Sequence, residues 1–255
     1  MFLPPFIRFN RKGKTLMTFQ VMLQQLMTGF SKTLLIFVLT LVLSMPLGLL
    51  VCFGRMSRLA PFKGLIKNRL NTPHFWKSVC AFRPVSAVFR FLISILRGTP
   101  LMLQLLVVCY GPYYLFHSKL SPSWTFTALI LGFVINYAAY FAEIYRSGIE
   151  STPVGQYEAA EVLGYTRYQT YVKIILPQMF KRVLPSITNE VITLVKDTSM
   201  AFVLAYAEMF TLAKQISAAK TTFMPLFVAG LFYFIFNAVV DYVMNRIENR
   251  MRYYQ

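Results

Sequence analysis

Acidic residues are scarce in this chain. It has 9 Asp and Glu against 26 Lys and Arg in 255 residues, a formal net charge of +17. Charge of either sign is scarce as well, at 14% of residues, where a soluble domain carries about a quarter. That deficit, with 56% hydrophobic residues and a mean hydropathy of +0.54, excludes an ordinary soluble domain and points to a membrane protein. Cysteine is sparse too: Cys52, Cys80 and Cys109 are scattered with no CxxC pair, so neither a disulfide framework nor a zinc site is suggested. There is no GxxxxGK(S/T) phosphate loop, so the chain does not bind ATP in that way. No paired-His motif, Ser–His constellation or acidic cluster with metal spacing supports a membrane-embedded enzyme. His74 and His117 fall in loops and receive no role. The basic residues cluster between apolar runs, which is the positive-inside bias of a membrane protein and not the footprint of a nucleic-acid binder.

A hydrocarbon core about 30 Å thick takes about 20 apolar helical residues. The uncharged runs 34–54, 98–118, 121–142 and 221–240 each contain a span. A further run, about 183–213, is long enough but carries Glu190, Lys196, Asp197 and Glu208. The pattern predicts five helical spans, because lipid offers no partner for an open backbone. Between 55 and 97 lie nine basic residues, Arg55 to Arg97, and no acid, which places that loop in the cytoplasm. The short loop with Lys119 then faces out, and the tail with Arg246, Arg250 and Arg252 faces in. Five spans put the N-terminus outside, against the pull of Arg8, Arg11, Lys12 and Lys14. An interfacial amphipathic helix near Phe19 to Phe30 resolves the conflict. The first long run lacks a small-residue cleavage site and reads as a retained span.

The longest polar-rich interruption, Gln156 to Gln178, reads QYEAAEVLGYTRYQTYVKIILPQ. Thr152 is a candidate helix cap with Pro153 at the first helical position. Glu158 to Leu163 then forms a short helix, Gly164 permits a turn, Tyr165 to Ile175 forms a second helix, and Pro177 stops it. Ala159 and Ala160 keep one side thin enough to enter a groove on another protein. Glu158-Ala159-Ala160, three residues, Gly164, nine residues, Ile174, one residue and Leu176-Pro177 reproduce every fixed position of a known pattern. The stretch resembles the "EAA" coupling motif of ABC importer permeases. Arg97 to Pro100 (RGTP), Tyr140 to Ile149 (YFAEIYRSGI) and Leu194 to Ala201 (LVKDTSMA) resemble signatures of the polar-amino-acid subfamily, in the same order. The resemblance runs from about Thr33 to the C-terminus; 65–83 reads as a basic insertion.

The resemblance implies an all-α integral membrane protein of the histidine/glutamine/arginine permease type, with five transmembrane helices and a cytoplasmic coupling-helix segment (a type I ABC importer permease). Its implied organisation is an N-terminal interfacial segment over 1–32, a permease domain over 33–250 that contains the coupling segment 152–178, and a tail over 251–255. Glu158, Ala159, Ala160 and Gly164 are implied to dock in a separate ABC ATPase, which holds ATP and Mg; no cofactor is expected in this chain. Other implied partners are a second permease chain, identical or similar, an extracytoplasmic amino-acid-binding protein, the amino-acid substrate and membrane lipid. The location implied is the bacterial cytoplasmic (inner) membrane, with the N-terminus outside and the C-terminus inside.

Ionisable groups within spans cost about 3 kcal/mol each in lipid, so they are functional candidates. Lys196 and Asp197 offer opposite charges in the proximity with which an amino acid presents its own, Lys196 for the carboxylate and Asp197 for the ammonium. Thr193 and Ser199 are their hydrogen-bonding neighbours. A structural ion pair is the equal alternative. Asn136, Tyr140, Glu143 and Ser147 share one helix face and either line the path or bind another span; Glu143 and Arg146, three apart, suit an ion pair. Glu190 and Glu208 are pathway acids or interface groups. The competing class is an ion-gradient-driven secondary transporter or channel subunit, which midplane charges would suit but which leaves the coupling segment unexplained.

Overall fold

The structure, a computed structural model, describes residues 19–57, 83–117 and 121–252. The N-terminal basic residues, most of the basic 55–97 loop with His74 and Cys80, Lys119 and the tail 253–255 lie outside the described residues. Helix is the only regular structure among those described. The elements are α1 (Phe19–Met56), α2 (Pro84–Gly98), α3 (Leu101–Phe116), α4 (Pro122–Glu150), α5 (Val154–Val162), α6 (Arg167–Thr170), a π-helical turn (Tyr171–Ile175), α7 (Leu176–Asp197), a 3-10 turn (Thr198–Leu204), α8 (Met209–Lys220) and α9 (Met224–Arg252).

The chain forms two compact units. The first contains Met1–Thr40, Leu105–Leu131 and Thr188–Asn249. Its core joins Met22 and Leu26 of α1 to Met209, Ala213 and Ile216 of α8 and to Val228 and Ala229 of α9. Phe30 and Phe37 meet the edge of Phe236 at 5.4 and 5.2 Å between ring centroids. The second unit contains Leu41–Gln104, Gly132–Ile187 and Arg250–Gln255. There α1 and α4 approach closely: a Cβ on Gly48 would stand 2.7 Å from Phe141 Cβ. A single stripe of α1 is buried along its whole length, through Met22, Leu26, Gly29, Thr33, Ile36, Thr40, Ser44, Gly48 and Cys52. Its three- and four-residue spacing defines one helix face. Small residues dominate the stripe, which is how helices approach when lipid supplies no hydrophobic drive between them.

Helices α1, α4 and α9 are each long and apolar enough to cross a membrane. Among the described residues these three qualify alone, and a fourth if a bent pair is taken as one span, where five were expected. Helices α2 and α3 pass only as a pair, bent by 111°. Thus the second span is not a straight run over 98–118, and Pro84–Gly98, expected as loop, is helix. The 183–213 run is divided: α7 ends at Asp197, and Ala205, in the left-handed region with φ 52°, closes the 3-10 turn before α8. The segment expected to lie apart on the membrane near Phe19 to Phe30 is the start of α1, so the boundary at 32/33 falls inside a helix. Met22 and Leu26 hold those turns in the core.

Candidate functional site

The coupling segment lies wholly in the second unit. Helix α5 ends in a complete Schellman motif: the Gly164 N–H donates to Glu161 O (3.0 Å) and the Tyr165 N–H to Ala160 O (3.0 Å). This closure needs a left-handed residue, and Gly164 supplies it at φ 71°. Thr166 then starts α6 with a capping box: its hydroxyl accepts the Gln169 N–H (3.3 Å) while its own N–H donates to Gln169 Oε1 (2.9 Å). The hairpin is tied down at both ends. Gln178 Nε2 donates to Gln156 Oε1 (3.2 Å), and Arg182 Nη1 donates to Ser151 O (2.6 Å) and Ser151 Oγ (3.0 Å).

Two local expectations are corrected. Thr152 does not cap α5. It is buried, and its hydroxyl turns back to Gly148 O at 3.4 Å, while Pro153 occupies the cap position. Pro177 does not stop a helix, because α7 begins at Leu176 and continues through it. The preceding residues take the π form instead. Proline lacks an N–H and crowds the carbonyl four residues back, here Lys173 in the π turn, and a widened turn relieves both problems.

Glu158, Ala159 and Gly164 are exposed, whereas Ala160 is fully buried. Beside the exposed three stand bare apolar side chains, Val162 (88% exposed), Leu163 and Tyr168. Sequence reading missed these three. Hydrophobic residues on a polar hairpin are the signal that could have found them, since such a patch marks an interaction surface.

The polar face of α4 is built in the same unit. Glu143 is held by the guanidiniums of Arg55 and Arg146, with Arg146 Nε at 3.1 Å, and Arg97 stands 3.9 Å away. Arg146 also pairs with Glu150. The expected Glu143–Arg146 pair is therefore present, inside a network that adds Arg55 and Arg97. Tyr140 lies beneath Arg97, with the guanidinium 5.3 Å from its ring centre. Asn136 is buried and donates to Gln104 Oε1 (3.0 Å). Gln104 Nε2 donates in turn to Leu96 O (2.7 Å) and Thr99 O (3.1 Å), which pins the corner between α2 and α3. Ser147 is exposed and bonds to Ile144 O.

Lys196, Asp197, Thr193 and Ser199 belong to the first unit, Asn136 and Tyr140 to the second. Lys196 is exposed at the end of α7. The Thr193 and Ser199 hydroxyls donate to Asn189 O (2.9 Å) and Lys196 O (2.7 Å). A residue left open in the sequence has a defined place: Glu208, fully buried, caps α8. It accepts from Phe210 N (2.7 Å), Thr211 N (2.5 Å) and Thr211 Oγ1 (2.8 Å), and Thr33 Oγ1 and Tyr233 OH reach it at 3.3 and 3.2 Å.

Among the described residues, helices long enough to cross a membrane and a tied-down polar hairpin suit the membrane component of a transport system. The chain belongs to the binding-protein-dependent transport system inner membrane components, whose family pattern matches residues 78–253. It is 34% identical to the arginine transport system permease protein ArtQ of Bacillus subtilis, over 68% of this chain and 78% of that one. It is 31% identical to the L-cystine transport system permease protein TcyB of the same organism, over 89% and 86%. Among solved structures it resembles an amino acid ABC transporter, with TM-score 0.72, 27% identity and coverage of 92% and 99%. The MetNI methionine ABC transporter, at 17% identity and TM-score 0.63, shares the fold. The chain is thus a permease subunit of an ABC importer in the inner membrane. ATP hydrolysis belongs to a separate chain, a binding protein is a further partner, and the secondary-transporter alternative is not favoured.

Proposed function

We propose that this permease imports a polar amino acid. The observation that carries the reading is the pair of relatives named for arginine and L-cystine transport, each covered over more than three quarters of its length. In this reading α5 docks on the ATPase through Glu158, Ala159 and Gly164 with Val162, Leu163 and Tyr168, while buried Ala160 lets α5 seat closely on its own unit. The ATPase holds ATP and Mg and closes on them. The ties from Gln156 to Gln178 and from Ser151 to Arg182 pass that displacement to α7. Helix α7 has 22 residues, roughly 33 Å at about 1.5 Å per residue, enough to carry motion across the membrane to Lys196 and Asp197 at its far end. There Lys196 faces the substrate carboxylate and Asp197 the ammonium, with Thr193 and Ser199 beside them; Asn136 and Tyr140 are assigned to the same pathway. A second permease chain, identical or similar, completes the path. With five spans and the basic segments inside, the N-terminus lies outside and the C-terminus in the cytoplasm in this reading.

The test is uptake of labelled amino acids by proteoliposomes that hold this chain with its ATPase and binding protein, with and without ATP. ATP-dependent uptake of one polar amino acid is expected. ATP-dependent uptake of a sugar or an anion alone would overturn the cargo, and uptake that follows an ion gradient without ATP would overturn the coupling.

A further inference from the structure

Helix α2 has three distinct faces. One packs on its own unit: Ser86 and Ile93 are buried, Ser86 Oγ donates to Arg55 O (2.5 Å), and Phe89 fills the space over Gly54. The second is a row of arginines, Arg83, Arg90 and Arg97, spaced seven apart and so aligned on one face. Among the described residues neither Arg83 nor Arg90 is ion-paired, and both are exposed. The third is bare and apolar: Val88, Phe91, Leu92 and Ile95 are 43–66% exposed.

The chain then turns by 111° into α3, which is apolar and uncharged throughout. Of the bent pair, α3 carries no charge and is the part suited to enter the bilayer, while α2, set at 111° to it and carrying the arginines, is the part suited to run along the surface. There an apolar stripe enters the acyl boundary while a flanking basic row meets the headgroups. No acid lies between Arg55 and Arg97 in the sequence, and the exposed Arg83 and Arg90 suit a negatively charged partner.

We propose that α2 is a surface-lying helix that holds anionic phospholipid headgroups of the cytoplasmic leaflet through Arg83 and Arg90, with Val88, Phe91, Leu92 and Ile95 in the acyl layer. The Gln104 bonds at the corner fix the helix in that posture. A bilayer is the chosen occupant because a single helix carries both the wetted charges and the bare apolar row.

The experiment uses the permease–ATPase complex in vesicles of phosphatidylcholine with or without phosphatidylglycerol. An environment-sensitive probe is attached at Phe91→Cys in a Cys80→Ser background, since Cys52 and Cys109 are buried. Quenching by spin labels placed high on the lipid chain is expected. Quenching by aqueous iodide alone would overturn the proposal, and so would shielding from both quenchers, which means that a protein covers the face. In a second measurement, spin-labelled phosphatidylglycerol binds in preference to phosphatidylcholine. Arg83→Gln with Arg90→Gln lowers that preference about fivefold per arginine, while the paired Lys variants retain it. An unchanged preference in the Gln variant would overturn the headgroup assignment.

Discussion

Glu208 and Glu143 are both carboxyl groups set among apolar helices, and the two units hold them by opposite means. Around Glu208 the donors are neutral: two backbone N–H groups, two threonine hydroxyls and a tyrosine. Around Glu143 they are guanidiniums, from Arg55, Arg146 and, at longer range, Arg97. Neutral donors fixed by a helix end need no counter-charge and admit no water, and Glu208 is 0% exposed. An arginine network needs solvent for its surplus positive charge, and the Glu143 side chain stays 19% exposed. The first arrangement pins one helix to two others; the second balances charge among elements that meet near the coupling segment.

The largest effect should follow from Glu208→Ala. It removes the α8 cap and takes the carboxylate partner from Thr33, Thr211 and Tyr233, at a cost of roughly 2–4 kcal/mol. Denaturant unfolding in detergent measures it, and a loss indistinguishable from that of an exposed substitution would break the comparison. Glu143→Gln comes next. It leaves Arg55 and Arg97 without their acid and Arg146 with Glu150 alone, and costs about 1–3 kcal/mol, less than a fully buried pair because water reaches the site. The two effects separate by ionic strength. Between about 0.05 M and about 0.5 M salt the Glu143→Gln penalty should shrink by screening while that of Glu208→Ala holds steady. Equal salt dependence would make the two sites alike after all.

Gly164→Ala should cost about 1 kcal/mol, because its φ of 71° strains any side chain although the space around it is open. Gly155→Ala, also in open space but without the positive φ, should be neutral or slightly stabilising. Thermal unfolding of the pair separates conformational strain from mere bulk. The smallest effect on stability belongs to a third acid, Glu158, which is exposed. Glu158→Lys should leave unfolding unchanged yet uncouple ATP hydrolysis from uptake in proteoliposomes. Normal coupled uptake in that variant would remove Glu158 from the docking surface.

Much of the coupling segment was legible because it is local. Gly164 declares its turn through its lack of a Cβ; Thr166 and Gln169, three apart, match the capping-box pattern, a local signal that the expected single helix over Tyr165 to Ile175 passes over. The uncharged runs over 34–54, 121–142 and 221–240 fall largely on α1, α4 and α9 for the same reason: about 20 apolar residues in lipid have few alternatives to a helix. Reading failed where two local rules competed. Pro177 carries a stop signal, but the π turn accommodates it, and Thr152 carries a cap signal, but the end of α4 claims its hydroxyl. The long run at 183–213 reads as one span by composition, although the chain breaks it between Asp197 and Glu208.

The sequence by itself determined the class of molecule, its long apolar helices and the spacing of its coupling motif, since hydropathy, helical period and glycine sterics act over a few residues. Only the tertiary structure decided which groups satisfy the buried charges. Arg55 meets Glu143 across 88 positions and Thr33 meets Glu208 across 175. No local preference records such pairs; they arise because a polar group removed from water must take its partners from whichever helix packing places beside it.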